Sequence, residues 1–350
     1  MDIRLFKTSS KLEGILPERA HGSATARAFG LQALNLLLVL LLSGCAGIGG
    51  KKAVYLAHTL PVHHPVHQGM EVFAERLEEM SDGTMTVRIF PDGQLGTERE
   101  VLELLQIGSI AMTKVSAATM ANFAPEYEVL GVPYLFRSQE HMFKVLEGPT
   151  GESILEAGSE YLLKGLCFYD AGSRSFYTVK KPVKSPEDLA GMKIRVMNHQ
   201  MSVEMVNEMG ASATPMAYGE LYSALEQGVV DGAENNPPSF VTSGHYEIAK
   251  YYTLDEHSSI PDVLVMGTQY WKTLSEQERG WVMAAARESA QAQKGFWNDN
   301  VAESMKKLIA AGVEIYEPEK SRFAERSKGV LEEFSEDPNR KKLVEEIQEQ

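Results

Sequence analysis

The chain has 350 residues, 43% of them hydrophobic, enough for two ordinary globular domains with real cores. Acidic side chains outnumber basic ones by 48 to 34, a formal net charge of −14, so the chain repels polyanions, and nucleic acid and anionic membrane surfaces are poor partners. Any anion this protein binds must be held by local positive groups against that field.

In chain order, the first signal is an apolar stretch from Leu34 to Leu42 preceded by Arg27 and followed by Leu42-Ser-Gly-Cys45. It is too short for a permanent membrane span and fits the h-region of a signal peptide. Its ending resembles a bacterial lipobox, in which Cys45 becomes the lipidated first residue. Residues 1–44 then read as a leader and 45–52, with its glycines, as a flexible linker. Without the leader, 29 basic side chains face 45 acidic ones, a net of −16. Cys167, in Leu-Cys-Phe, reads as a buried strand residue rather than a reactive thiol.

From there, short apolar runs alternate with amphipathic helices, the rhythm of α/β architecture with largely parallel sheets. A strand at 54–58 leads to a helix at 65–80 with Val66, Met70, Phe73, Leu77 and Met80 on one face. A strand at 84–90 precedes a helix opened by the capping box Thr97-Glu-Arg-Glu100, and a third strand covers 110–115. A second unit starts near Leu166. It contains a Ser185-Pro186 helix start, a strand at 193–196, helices at 201–209 and 218–227, and a strand at 229–233. Strands at 251–254 and 263–266 follow. Ser275-Glu-Gln-Glu278 caps a helix reaching about Ala310, and the last thirty residues read as charged helices forming a solvated cap over one domain.

Four segments in register carry more than this rhythm: Phe90-Pro-Asp-Gly-Gln-Leu-Gly96, Gly191-Met-Lys-Ile-Arg-Val196, Thr214-Pro-Met-Ala-Tyr218 and Val230-Asp-Gly-Ala-Glu-Asn235. Together they resemble the solute-binding protein of a TRAP transporter, the DctP family, over essentially the whole chain after the leader. The resemblance implies a bilobal, periplasmic-binding-protein-like α/β fold: two α/β domains joined by hinge strands, with a long C-terminal helix. Lobe I is expected mainly at 53–170 plus part of the later chain, lobe II mainly at 171–270, and C-terminal helices at 275–350. It also implies a periplasmic receptor that hands a small organic acid to the membrane subunits of the transporter, with no cofactor; the lipobox-like ending at Cys45 separately implies a lipid anchor.

Ligands of open α/β sheets sit beyond the carboxyl ends of strands. Those ends offer His58, Thr59, Ser116, Arg174, Arg195 and Asn235, with no nucleophile–base pair among them. This is a recognition set for a small polar anion. An arginine inside a β-type run is an odd structural choice, because desolvating a guanidinium costs several kcal/mol unless a partner meets it; an internal carboxylate is the structural alternative. The resemblance makes Arg195 the fork for the solute carboxylate, Arg174 a second cation, Asn235 a further contact, and Tyr218 a wall with His257 nearby. Thr59 reads hydroxyls, and Ser116 stands where other members can carry an acid. Asp231 and Glu234 read as structural, one bonding a turn and the other pairing with a charge. The histidines His58, His63, His64 and His67 are not expected to hold a metal, since Pro65 starts the helix between them and no cysteine or carboxylate cluster joins them. His58 or His63 instead reads as a donor to solute.

One or two arginines among uncharged polar groups suit a polyol chain with one carboxylate, a hexuronate or aldonate. A C4-dicarboxylate, one carboxylate per arginine, is the alternative within the class. A periplasmic enzyme acting on carboxylated sugars is the alternative outside it.

Overall fold

Strand β1 (Lys52–Ala57) runs into α1 (Pro65–Met80), whose start is set locally: the His64 ring nitrogen Nδ1 accepts the Val66 amide hydrogen at 3.2 Å and Pro65 opens the first turn. Val66, Met70, Phe73 and Leu77 form its fully buried stripe. The computed structural model describes residues 51–350; the proposed leader and Cys45 lie outside the described residues.

The chain continues through β2 (Met85–Phe90), α2 (Glu98–Gln106), β3 (Met112–Ser116), β4 (Leu163–Tyr169), β5 (Arg174–Thr178) and β6 (Lys193–Val196). Then come α3 (Gln200–Glu208), β7 (Ser212–Pro215), β8 (Gly232–Asn235), α4 (Pro237–Thr242), β9 (Tyr251–Ser258) and β10 (Asp262–Gly267). The capping boxes expected at Thr97/Glu100 and Ser275/Glu278 are both formed, the second opening α5 (Glu276–Ala310), 35 residues or about 52 Å long. Strand β11 (Glu314–Tyr316) and helices α6 (Lys320–Arg326), α7 (Lys328–Phe334) and α8 (Pro338–Glu349) close the chain.

Two α/β lobes result. One sheet has the order β2-β1-β3-β10-β4, the other β11-β9-β5-β8-β6-β7. Both are mixed rather than largely parallel. β10 runs antiparallel to β3 and β4, and β5 antiparallel to β8 and β9, because the chain crosses between sheets and returns in the opposite sense. The two crossings, 170–173 and 259–261, lie side by side, with Tyr169 opposite Asp262 on one flank and Arg174 opposite Ser258 on the other. Strand β10, inside the span read as the second lobe, therefore joins the first sheet. The long helix is a third connection, with Val282, Ala286 and Trp297 in the core against the first sheet and Leu308 in the core against the second.

The C-terminal helices are not a solvated cap over one domain. Phe323, Val330, Phe334, Val344 and Ile347 are buried in a cluster that draws on both sheets. The Phe323 ring lies tilted beside that of Phe176 of β5, 6.5 Å between ring centroids. At the other end the Ile347 carbonyl is 2.8 Å from the His141 ring, on the first-lobe side. Surface charge patterns disclose only the outward faces of such helices; the sparse apolar residues decide where they dock.

Candidate solute-binding cleft

Alternation along β6 aims Arg195. Ile194 and Val196 enter the apolar cluster, so the residue between them points to the opposite face, into a cleft of about 120 Å³ between the lobes. Arg195 is 2% exposed and none of the ion pairs among the described residues includes it. Its Nε and Nη2 both donate to the Met216 carbonyl, at 3.1 and 2.7 Å. Its Nη1 is buried with no hydrogen-bond partner among the described residues. Burial lowers the pKa of this guanidinium, with Glu234 opposing that shift. One edge of the fork is thus anchored and the other is left without a partner, an arrangement costly for a protein interior unless a ligand completes it. The Tyr218 ring lies 5.9 Å from Cζ, and the Tyr218 hydroxyl pairs with Ser243 Oγ, so the ring face is what Tyr218 presents.

Arg174, the first residue of β5, also lines the cleft but is committed elsewhere. Its Nε and Nη2 meet the Glu234 carboxylate, and its Nη1 donates to Asn235 Oδ1 at 3.1 Å. Glu234 in turn faces His257 Nε2 at 3.3 Å, and His257 Nδ1 faces Asp255 at 2.7 Å. Burial disfavours the imidazolium of His257, but Asp255 and Glu234 outweigh it and raise the pKa to about 9. Burial likewise opposes the Glu234 carboxylate, yet Arg174 and His257 lower its pKa to about 2. The row Arg174–Glu234–His257–Asp255 is a buried chain of alternating charge that fixes the arginine. Glu234 has the charge-pairing role read from sequence, and the Asp231 carboxylate accepts the Lys193 amide hydrogen at 2.9 Å.

The two asparagines separate cleanly. Asn236 is spent on structure: Nδ2 donates to the Ala171 carbonyl at 3.0 Å and Oδ1 accepts the Ser239 amide hydrogen at 2.8 Å, capping α4. Asn235 uses its Oδ1 on Arg174 and the Asn236 amide, so the group it can offer a solute is its NH₂. Thr59 and Ser116 line the opposite wall, Ser116 also capping the following turn through Ala118 N at 3.3 Å.

Two expected contacts are corrected. His58 is 2% exposed and lies outside the cleft wall; its Nε2 pairs with His67 Nδ1 at 2.9 Å and its Nδ1 accepts the Leu60 amide hydrogen. His257 is fully buried behind Glu234 and supports Arg174 without reaching the cleft. His63 is exposed, and the histidine on the wall is His64, whose Nε2 reaches Ser239 Oγ of the other lobe at 3.1 Å. His64 also caps the helix through Nδ1, and nothing in its local sequence pattern shows that the outer ring nitrogen bridges lobes.

The sequence reading also missed Glu98, Lys114 and Asp262 on the first-lobe wall. Lys114 Nζ lies 3.1 Å from Asp262 and 3.4 Å from Glu98, and the lysine is 2% exposed. A lysine within the otherwise uncharged strand Met-Thr-Lys-Val-Ser was the available signal. Among the described residues no group of three or more His, Cys, Asp or Glu is placed to hold a metal, and no helix is long and apolar enough to cross a membrane. Cys167 is buried in β4, which pushes its thiol pKa up.

Two α/β lobes on a double crossing, closing around a buried guanidinium edge that lacks a partner, define a bilobal solute receptor. The family described as bacterial extracellular solute-binding protein, family 7 (DctP), matches residues 56–337, and the chain belongs to this family. A solute-binding protein of Chromohalobacter salexigens is 37% identical over 290 residues, 82% of this chain and 86% of the relative. The fold is also that of a TRAP periplasmic solute-binding protein from Bradyrhizobium sp. BTAi1 solved with galacturonate, at a TM-score of 0.84 and 40% identity, covering 85% of this chain and all of the other. A TRAP solute-binding protein from Pseudomonas putida F1 with bound D-glucuronate superposes at a TM-score of 0.82 with 37% identity, over 84% of this chain and 96% of its own.

Proposed function

We propose that this protein is the extracytoplasmic receptor of a TRAP transporter and that its solute is a hexuronate. The observation that carries the reading is the Nη1 edge of Arg195: a buried cationic donor without a partner in an interlobe cleft. A carboxylate meeting Nη1 and Nη2 end-on would complete it with charge-assisted bonds. The asparagine NH₂, the tyrosine face and the hydroxyls of Thr59 and Ser116 suit the remaining sugar ring. The galacturonate and glucuronate bound in the two similar structures support the same solute class.

In this reading residues 53–170 with β10 form lobe I, the later strands lobe II, and the lobes close on the solute about 170–173 and 259–261. The closed form docks on the membrane subunits, and the solute is returned unchanged. Residues 1–44 are a leader and Cys45 is lipidated, tethering the receptor in the periplasm. A thermal-shift and calorimetric screen against uronates, aldonates, dicarboxylates and amino acids tests the solute. A ligand at a hundredfold excess over its Kd adds about 2.7 kcal/mol. D-Galacturonate or D-glucuronate should stabilise the protein well above succinate or malate; stabilisation by dicarboxylates alone would replace this solute class with the other. Consumption of the sugar acid on prolonged incubation would make the protein an enzyme instead.

A further inference from the structure

The first-lobe wall of the cleft carries charges that the carboxylate-binding role of Arg195 does not use. Lys114 sits between two carboxylates, Asp262 on the adjacent antiparallel strand β10 and Glu98 at the start of α2. All three line the cleft that holds the unpartnered Nη1 of Arg195. Glu98 is held in place, accepting the Thr119 hydroxyl at 2.6 Å and the Ser116 amide hydrogen at 3.2 Å. Burial disfavours the Lys114 ammonium, but Asp262 and Glu98 outweigh it and its pKa is raised, so the lysine stays charged. Burial raises the pKa of Asp262, with Lys114 opposing. Two carboxyl groups against one lysine give this wall an acidic balance. The second-lobe wall carries Arg195 and Arg174 against the single Glu234 and is net positive.

A cleft with walls of opposite sign sorts solutes by how many carboxylates they carry. Sugar hydroxyls both donate and accept, so they can give hydrogens to Asp262 and Glu98 and take one from the third N–H of Lys114. A second carboxylate at that wall can only accept, and it meets two like charges in a poorly solvated site, which costs enough to decide specificity. We propose that Glu98, Lys114 and Asp262 form the selectivity filter of this receptor, admitting a sugar acid with hydroxyls at its far end and rejecting solutes with carboxylates at both ends. This rests on the uronate reading and adds the residues that enforce it.

The test is calorimetry with D-galacturonate and D-galactarate, which differ in carrying a sugar end or a second carboxylate at C1, on wild type, Asp262→Asn and Glu98→Gln. Wild type should prefer galacturonate by about tenfold or more. Either neutralising variant should narrow that ratio about tenfold, by weaker galacturonate binding, tighter galactarate binding or both. Glu98→Gln is the safeguard should Asp262→Asn, which breaks a buried ion pair, fail to fold. Equal wild-type binding of the two acids overturns the filter and leaves the uronate reading intact. So does an unchanged ratio in a folded variant. No galacturonate binding by wild type overturns the uronate reading, and the filter with it.

Discussion

Replacing Arg195 by alanine separates a ligand-binding guanidinium from a structural one. Each charge-assisted hydrogen bond to a solute carboxylate contributes roughly 1.5–3 kcal/mol. Removing one partner of a buried pair also strands the other, so the total loss should be about 3–5 kcal/mol. At 1.4 kcal/mol per decade, affinity for the best sugar acid should fall by roughly two to three and a half orders of magnitude. Arg195→Lys keeps the charge but loses the planar fork and should recover only part of this. In the ligand-free protein two effects oppose. The Met216 carbonyl loses both its donors, Nε and Nη2, a cost of about 1–3 kcal/mol, while the unsatisfied Nη1 disappears with the side chain. Unfolding stability without ligand should therefore change by no more than about 2 kcal/mol. Calorimetry and urea denaturation on the three proteins decide it. A folded Arg195→Ala protein that binds within about threefold of wild type would refute the reasoning. So would a variant that cannot fold, since the arginine would then be holding the second lobe together.

Other consequences follow from the same contacts. His257 carries a folded-state pKa of about 9 against an ordinary 6.5, so its contribution is complete below about pH 6.5 and lost as pH rises through about 9. At 1.36 kcal/mol per unit this is on the order of 3 kcal/mol, and urea midpoints at mildly acidic and alkaline pH should differ in wild type and converge in His257→Gln. Glu234→Gln removes the formal charge facing Arg174 and His257, and unfolding free energy should fall by about 3–5 kcal/mol with solute affinity falling as well; a change under about 1 kcal/mol would mean the buried chain is not coupled. At Gly69 in α1 an added Cβ would come within 2.8 Å of the Gln293 side chain of α5, which itself holds both the amide and the carbonyl of Asp170 at the crossing. Gly69→Ala should therefore lower the melting temperature, equivalent to about 1–3 kcal/mol of overpacking. Protein isolated from its native membrane should show a lipid adduct at Cys45 by intact mass, and Cys45→Ala should abolish it.

Local chemistry made much of this protein readable from its sequence. Capping boxes at Thr97 and Ser275, the proline start at Pro65 and the placement of most strands depend on residues a few positions apart. A single sequence carries such signals in full. Arg195 was also legible, because a guanidinium flanked by Ile194 and Val196 must leave the apolar face of its strand. What the arginine would meet was not: the Met216 carbonyl lies on the neighbouring chain segment, and only folding showed that one edge of the fork is anchored and the other left open. The tertiary structure alone decided partnerships distant in sequence. Lys114 meets Asp262 because β10 returns antiparallel beside β3, and His257 backs Arg174 through Glu234 because β5 lies between β8 and β9. Strand direction and sheet order follow from how the whole chain crosses between two lobes, and no window of a few residues encodes that. Hence the local pattern offered His58 or His63 to the solute, whereas the folded turn buries His58 away from the cleft, exposes His63 and puts His64 on the wall.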